Sequence, residues 1–386
     1  MDAAARAAVE AEAIQSGRLP SVEDAFDVAT LLVCALTAPE ATAAAAEVAS
    51  AAYYRLYQSD AHVAAAVAAL LAPASRSALV AALEGGGHAA LEAGEILFDV
   101  VCGGARGGAV TSETNDRIAG TDGMIESLVH ALQRATGEVL QVPEAPLRHI
   151  RWRAFRNLCF VLETLMWCEG CAARILAAPG AVGGLAAAGR VGWRPSDARF
   201  LIVLTMFDSM IEALGADAAR ALMAEEGVFD TVVAAAGKGD GSIVLSALKT
   251  LRLLARADAE TAGRIIADAN ARAALTGVAI TGPQSEAARA AGRCTLRAIA
   301  RAGHAAAVAV AVKPCLAAPA DGAERGRARA VLMEFLPTVA VDALEAVARD
   351  AEVEAAALRA EVAEQRAIPV NTRAAIVELA ATAART

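Results

Sequence analysis

The sequence predicts an all-α protein built from repeated helical units, and three observations carry that expectation. Of its 386 residues 56% are apolar but only 4% aromatic, so the apolar content is Ala, Leu and Val. Alanine loses no side-chain entropy in a helix, and its small side chain lets helix axes approach closely. Apolar residues also recur with helical periodicity. Met124, Ile125, Leu128, Val129 and Leu132 form one stripe along 124–132, the buried face of a packed helix. Third, one punctuation returns along the chain: a short helix end, a residue suited to a sharp turn, then another apolar stripe.

That punctuation falls at Gly123, Gly180, Gly227 and Asn270, at intervals of 57, 47 and 43 residues. Gly and Asn tolerate the left-handed backbone that a tight helix–helix turn requires. The longer first interval is assigned to a polar, proline-containing insertion over 133–146. Long amphipathic helices are expected at 151–166, 198–214, 241–257 and 285–302. The flanks read the same way, with helices at 22–36, 41–57, 75–83 and 88–101 and again at 305–316, 325–336, 339–348 and 351–363. Glycine-rich 103–108 and 317–326 are expected to be mobile loops. The division is then 1–110 divergent repeats, 111–302 regular repeats and 303–386 divergent repeats, in one continuous array.

Length and charge weigh against several function classes. A single ordinary core does not hold 386 residues, so the chain is an array or two domains. A net charge of −9 and a pI near 5.2 argue against nucleic acid, whose phosphates need a basic face. The most apolar runs, 64–72 and 305–312, fall far short of the ~20 residues that span a bilayer. The start lacks a signal-type apolar core, and seven scattered cysteines suit free thiols. The expectation is therefore a cytoplasmic or nuclear protein with no membrane partner.

Catalytic motifs are weak. Trp167-Cys168-Glu169-Gly170-Cys171 has redox spacing but follows a helix, whereas a dithiol site of that type follows a strand. Gly237-Lys238-Gly239-Asp240-Gly241-Ser242 lacks phosphate-loop spacing. Asp208 and Glu212, one turn apart, read as a solvated helix edge or a carboxylate pair. No cofactor and no metal are expected. One cluster stands out: Arg148-His149-Ile150-Arg151-Trp152-Arg153-Ala154-Phe155-Arg156-Asn157 interleaves four arginines with aromatics. Arginine forks pair with carboxylates and phosphates, and Trp supplies contact area at low entropic cost.

Residues 123–132 together with Ala154-Phe155-Arg156-Asn157-Leu158-Cys159 resemble the armadillo repeat, and HEAT repeats share the period. The resemblance covers about 111–302. It implies a right-handed α-α superhelix whose long helices line a groove for an extended peptide. Asn157 matches the groove's asparagine ladder, with Arg153 one turn earlier. Lys249 stands one turn before Leu253, and Cys294 one turn before Ala298, at corresponding places. The resemblance thus implies a non-catalytic scaffold that binds an acidic or phosphorylated protein segment through Arg151, Trp152, Arg153, Arg156, Asn157 and Lys249. The competing readings are an all-α enzyme with a buried pocket and a structural subunit of a larger assembly.

Overall fold

The computed structural model describes residues 3–37, 42–102, 112–141, 145–190, 198–238, 241–281 and 284–316, with 323, 327 and 328; the side chains of 138–152 and 186–199 lie outside that description. Among the described residues every regular element is helical. The chain divides into two compact units, Met1–Gly192 and Trp193–Thr386.

The first unit opens with α1 (Ala3–Gln15), α2 (Ala25–Ala35) and α3 (Ala43–Gln58). A triad follows: α4 (Val63–Leu70), α5 (Pro73–Gly85) and α6 (Gly87–Cys102). The next is α7 (Ser112–Ala119), α8 (Met124–Gln141) and α9 (Ala145–Leu165), and α10 (Cys171–Ala177) and α11 (Ala181–Arg190) begin a third. Third helices stack on third helices, α3 on α6 on α9, and second helices on second helices, α2 on α5 on α8 on α11. The triad therefore already occupies Val63–Cys102, before the residues that carry the sequence resemblance.

The second unit repeats the plan. It runs through α12 (Ala198–Leu214), the triad α13 (Ala216–Ala224), α14 (Val228–Lys238) and α15 (Gly241–Ala257), then α16 (Ala259–Ala267), α17 (Ala269–Thr276) and α18 (Glu286–Ile299). α17 continues into a π-turn at Gly277–Thr281, α18 into another at Ala300–His304, and α19 (Ala305–Leu316) follows. Here α12, α15 and α18 stack, as do α14 and α17.

The core follows from the composition. On α15, Ile243, Val244, Ala247, Leu248, Leu251, Leu254 and Ala255 are all buried, one stripe at helical spacing. Ala29, Ala52, Ala66, Ala93, Ala218, Ala235 and Ala262 are wholly buried beside larger aliphatics, so alanine serves as core here as well as helix former.

Hydrogen bonds between neighbouring repeats are spaced at the repeat period. Arg55 Nη1 donates to the Ile14 carbonyl 41 residues away at 3.1 Å. Thr250 Oγ1 donates to Asp208 across 42 residues, and Thr295 Oγ1 to the Leu248 carbonyl across 47. One contact recurs in both units. Arg174 Nη1 donates to the Ala119 carbonyl at 3.0 Å, and Arg264 Nη2 to the Met223 carbonyl at 3.2 Å. Each arginine stands six residues before its turn position, and each carbonyl four residues before the preceding one. The last carbonyls of a helix lack intrahelical donors, so a guanidinium from the next repeat satisfies them.

Two expectations are corrected. Gly123, Gly180 and Gly227 do turn the chain with φ of 75°, 71° and 77°, but among the described residues no non-glycine residue has positive φ. Asn270 lies inside α17; the turn there is made by Asp268, in extended conformation, whose carboxylate caps α17 by accepting from Ala271 N at 2.7 Å. The expected insertion over 133–146 is helical through Gln141, where α8 ends. The loop at 103–108 and the helices placed at 339–348 and 351–363 fall outside the described residues, as do nearly all of 317–326 and of the helix placed at 325–336.

Candidate functional site

Of the six nominated residues, Arg151 and Trp152 have side chains outside the described set. Arg153, Arg156 and Asn157 lie together on α9, in the first unit, and Lys249 lies on α15, in the second.

Arg153 does not stand free on its face. Its Nε donates to Glu95 Oε1 on α6 at 2.6 Å, and its Nη2 also pairs with that carboxylate, forming a two-pronged ion pair. Glu95 shares its helix face with Glu92 and Asp99, at i−3 and i+4. Burial raises the Glu92 carboxyl; a hydrogen bond from Ser50 opposes this, while Glu95 and Glu47 add to it. Asp99 is pushed up to about 6 by burial and by Glu95, with Arg153 pulling the other way. Glu95 and its acidic neighbours hold the Arg153 guanidinium more firmly charged, the hydrogen bond to Glu95 contributing most. One guanidinium is thus set among three carboxylates, whose positions 54–61 residues upstream no local reading of 148–157 includes.

Asn157 is only 3% exposed. Its Oδ1 accepts from Arg156 Nε and Nη2 at 3.3 and 3.1 Å. Arg156 in turn lies over the Phe98 ring, 5.8 Å from its centroid, and Phe98 sits 6.1 Å from Phe160. The side chain at the ladder place is therefore held beneath an arginine–aromatic stack, an arrangement that fixes Arg156 over α6.

No family model and no curated protein matches the chain. Among solved structures it is similar to a designed armadillo repeat protein at 15% identity, covering 70% of this chain and 99% of that one, with a TM-score of 0.49. It is also similar to two engineered proteins at 16% and 15% identity, covering 100% and 68% of this chain and 96% and 97% of theirs, with TM-scores of 0.45 and 0.44. The triad itself decides the fold: a short helix, a tight turn, a second helix and a stacking third helix, recurring in both units. The fold is an all-helical, armadillo/HEAT-like stack of repeats.

In the armadillo-like repeats of the second unit, Lys249 Nζ lies 3.2 Å from Asp208 Oδ2 and 3.2 Å from Glu212 Oε1. Asp208 also accepts from Thr250 Oγ1 at 2.6 Å. Its side chain is 4% exposed, so Asp208 is an internal tie between α12 and α15, not the solvated helix edge expected. Burial pushes it up to about 6; Thr250 and Lys249 oppose that, and Glu212 adds to it.

The Cys168–Cys171 pair sits at the turn from α9 to α10, around Gly170. Burial pushes the Cys168 thiol up to about 12, with Asp116 acting in the same direction, and burial raises Cys171 too. A reactive dithiol needs the opposite, a stabilised thiolate. Trp167 beside it is 61% exposed, an aromatic the sequence reading noticed only as part of the cysteine motif. Among the described residues no group of three or more His, Cys, Asp and Glu is placed to hold a metal, and no single helix is long and apolar enough to cross a membrane.

Proposed function

We propose that the chain is a non-catalytic scaffold that holds a segment of a partner protein against the stacked third helices α3, α6 and α9. The observation that carries this reading is the carboxylate row Glu92, Glu95 and Asp99 on α6, which Arg153 only partly offsets. Carboxylates raised by burial and by one another gain most from an added cation. The segment that suits this face carries Lys or Arg, and the half-buried rings of Phe98 and Phe160 offer its aliphatic stems an apolar floor. Repeat stacking supports the reading, because it holds side chains from successive third helices in fixed register over an elongated surface.

The test is selection of displayed random peptides on the full-length chain. Enriched peptides are expected to be rich in Lys and Arg. Their affinity should fall at least about tenfold in a Glu92→Gln/Glu95→Gln/Asp99→Asn variant, since three charged contacts are removed. Peptides that bind the variant and the parent alike would return the chain to the structural-subunit reading.

A further inference from the structure

In the second unit α15 and α18 pack along one another but leave a cleft of about 210 Å³ lined by Ala255, Arg256, Cys294, Arg297, Ala298 and Arg301. The sequence explains the space: the facing positions are Ala and Cys, too small to fill the gap. Successive turns of both helices carry arginine, and Arg256, Arg297 and Arg301 reach the cleft. α15 presents Arg252 and Arg256 one turn apart, and Arg289, Arg293, Arg297 and Arg301 recur every fourth residue from α18 into its π-turn.

Two of the charges in this cleft, Arg256 and Arg301, are not balanced in the way that Arg153 is. Glu286, at the start of α18, takes Arg289 and Arg293 at 3.0 and 2.9 Å. No carboxylate lines the cleft, and among the described residues neither Arg256 nor Arg301 makes an ion pair. Both are exposed. The walls are fixed. Buried Thr295 Oγ1 donates to the Leu248 carbonyl at 3.0 Å, tying α18 to α15. The π-turn that carries Arg301 is pinned where His304 Nε2 meets the Ala259 carbonyl at 2.7 Å. A π-turn changes the direction of a side chain relative to the preceding turns and recurs at functional sites.

We propose that this cleft is a phosphoryl-binding site, which receives a phosphorylated Ser or Thr side chain of a partner protein segment between Arg256 and Arg301. A phosphoryl group brings a charge of about −2 and three strong acceptor oxygens, and arginine forks match that geometry. The cleft has room for roughly seven water volumes of ~30 Å³ each, so the group enters with part of its hydration. Only the identity of the carrier rests on the scaffold reading; the anion site stands on the cleft itself.

Cys294 provides a footprint in the unmodified full-length chain. Inorganic phosphate, and then N-acetyl-phosphoserine amide, should slow iodoacetamide alkylation of Cys294 by about threefold or more at saturation, as read by mass spectrometry. Cys34, half-exposed elsewhere, serves as the reference and should not change. In Arg256→Gln and Arg301→Gln, both at exposed positions, the concentration for half-protection should rise at least about tenfold. Arg289→Gln should leave it unchanged. The site is overturned if Cys294 is not protected, if N-acetyl-serine amide protects it equally, or if the two arginine variants protect as the parent does. Protection by single-stranded DNA at lower concentration than by the phosphoserine probe would overturn the protein carrier. Absence of peptide binding at α6 would overturn the scaffold reading and the protein carrier with it, and would leave the protection of Cys294 by phosphate as the separate measure of the anion site.

Discussion

Lys249 Nζ lies 3.2 Å from Asp208 Oδ2, a half-exposed ammonium capping a carboxylate that is 4% exposed. The pair joins third helices of successive repeats, and Thr250, the next residue, donates to the same carboxylate. What the sequence offers as a candidate binding lysine is thus the charge that makes burial of Asp208 tolerable. A buried carboxylate without its cation is strongly destabilising.

Replacing Lys249 with Met should therefore lower stability by about 2 kcal/mol at pH 7, below the full cost of breaking a buried pair because the lysine is partly solvated. At pH 5 the loss should shrink, since Asp208 then carries its own proton. Urea unfolding at the two pH values checks this, and an equal loss at both would refute the account.

Asp208 itself gives a pH dependence of defined sign. It titrates at about 6 in the folded chain, above the ordinary 3.8. Between those values the folded chain holds a proton that the unfolded chain has released, so this group's contribution to stability is full below pH 4 and lost as pH rises through 6. Asp208→Asn removes the dependence. Relative to the parent, the variant should gain roughly 1–3 kcal/mol on going from pH 4 to pH 7. A parallel pair of stability curves would show that Asp208 does not titrate as described.

Arg153 behaves differently because it is exposed. Arg153→Ala should cost less than about 1 kcal/mol of stability, in line with solvated ion pairs. Its effect should appear on Asp99, whose carboxyl sits at about 6 because burial and Glu95 raise it against the downward pull of Arg153. In the variant Asp99 should titrate higher still. Carboxyl-carbon NMR of Asp99 reads the change directly, and an unmoved titration would separate Arg153 from the acidic row.

The repeat-to-repeat contacts from Arg174 and Arg264 should be interchangeable in kind. Arg264→Ala removes a donor from the Met223 carbonyl at the end of α13. The expected cost is about 1 kcal/mol, below the roughly 1.5–3 kcal/mol of a charged hydrogen bond because this one is partly solvated. Arg264→Lys should recover part of it. The shift in urea midpoint at constant slope measures both.

Much of the fold was legible because helical periodicity is local. The third helices at Ala198–Leu214 and Gly241–Ala257 stand at the expected bounds. The short first helices show only as helix ends, since α10, α13 and α16 span seven to nine residues, too few for three turns of stripe. The site was less legible because charge partners are not local. Arg153 is visible in the sequence, but Glu95, 58 residues away, is not visible as its partner. The arginine cleft did have a sequence signal, the four-residue recurrence from Arg289 to Arg301. It was passed over because Arg148–Arg156 is denser, although density says nothing of neutralisation by a neighbouring helix.

The turn residues give the sharpest contrast between what a repeat pattern suggests and what the backbone requires. Gly123 and Asn270 occupy equivalent places in the pattern, yet Gly123 has φ of 75° and Asn270 lies within α17. A Cβ built on Gly123 would meet Val80 Cγ1 at 3.5 Å, ordinary contact, so a side chain there fits in space and strains only the backbone. Gly123→Ala should then cost about 1–2 kcal/mol, the penalty of a left-handed conformation. Asn270 is exposed in a helix that Asp268 already caps, so Asn270→Ala should be neutral or stabilising by up to about 0.5 kcal/mol from helix propensity. Thermal or urea unfolding of the two single variants decides the matter. Equal destabilisation would mean that Asn270 bears the turn after all, and that Asp268 does not.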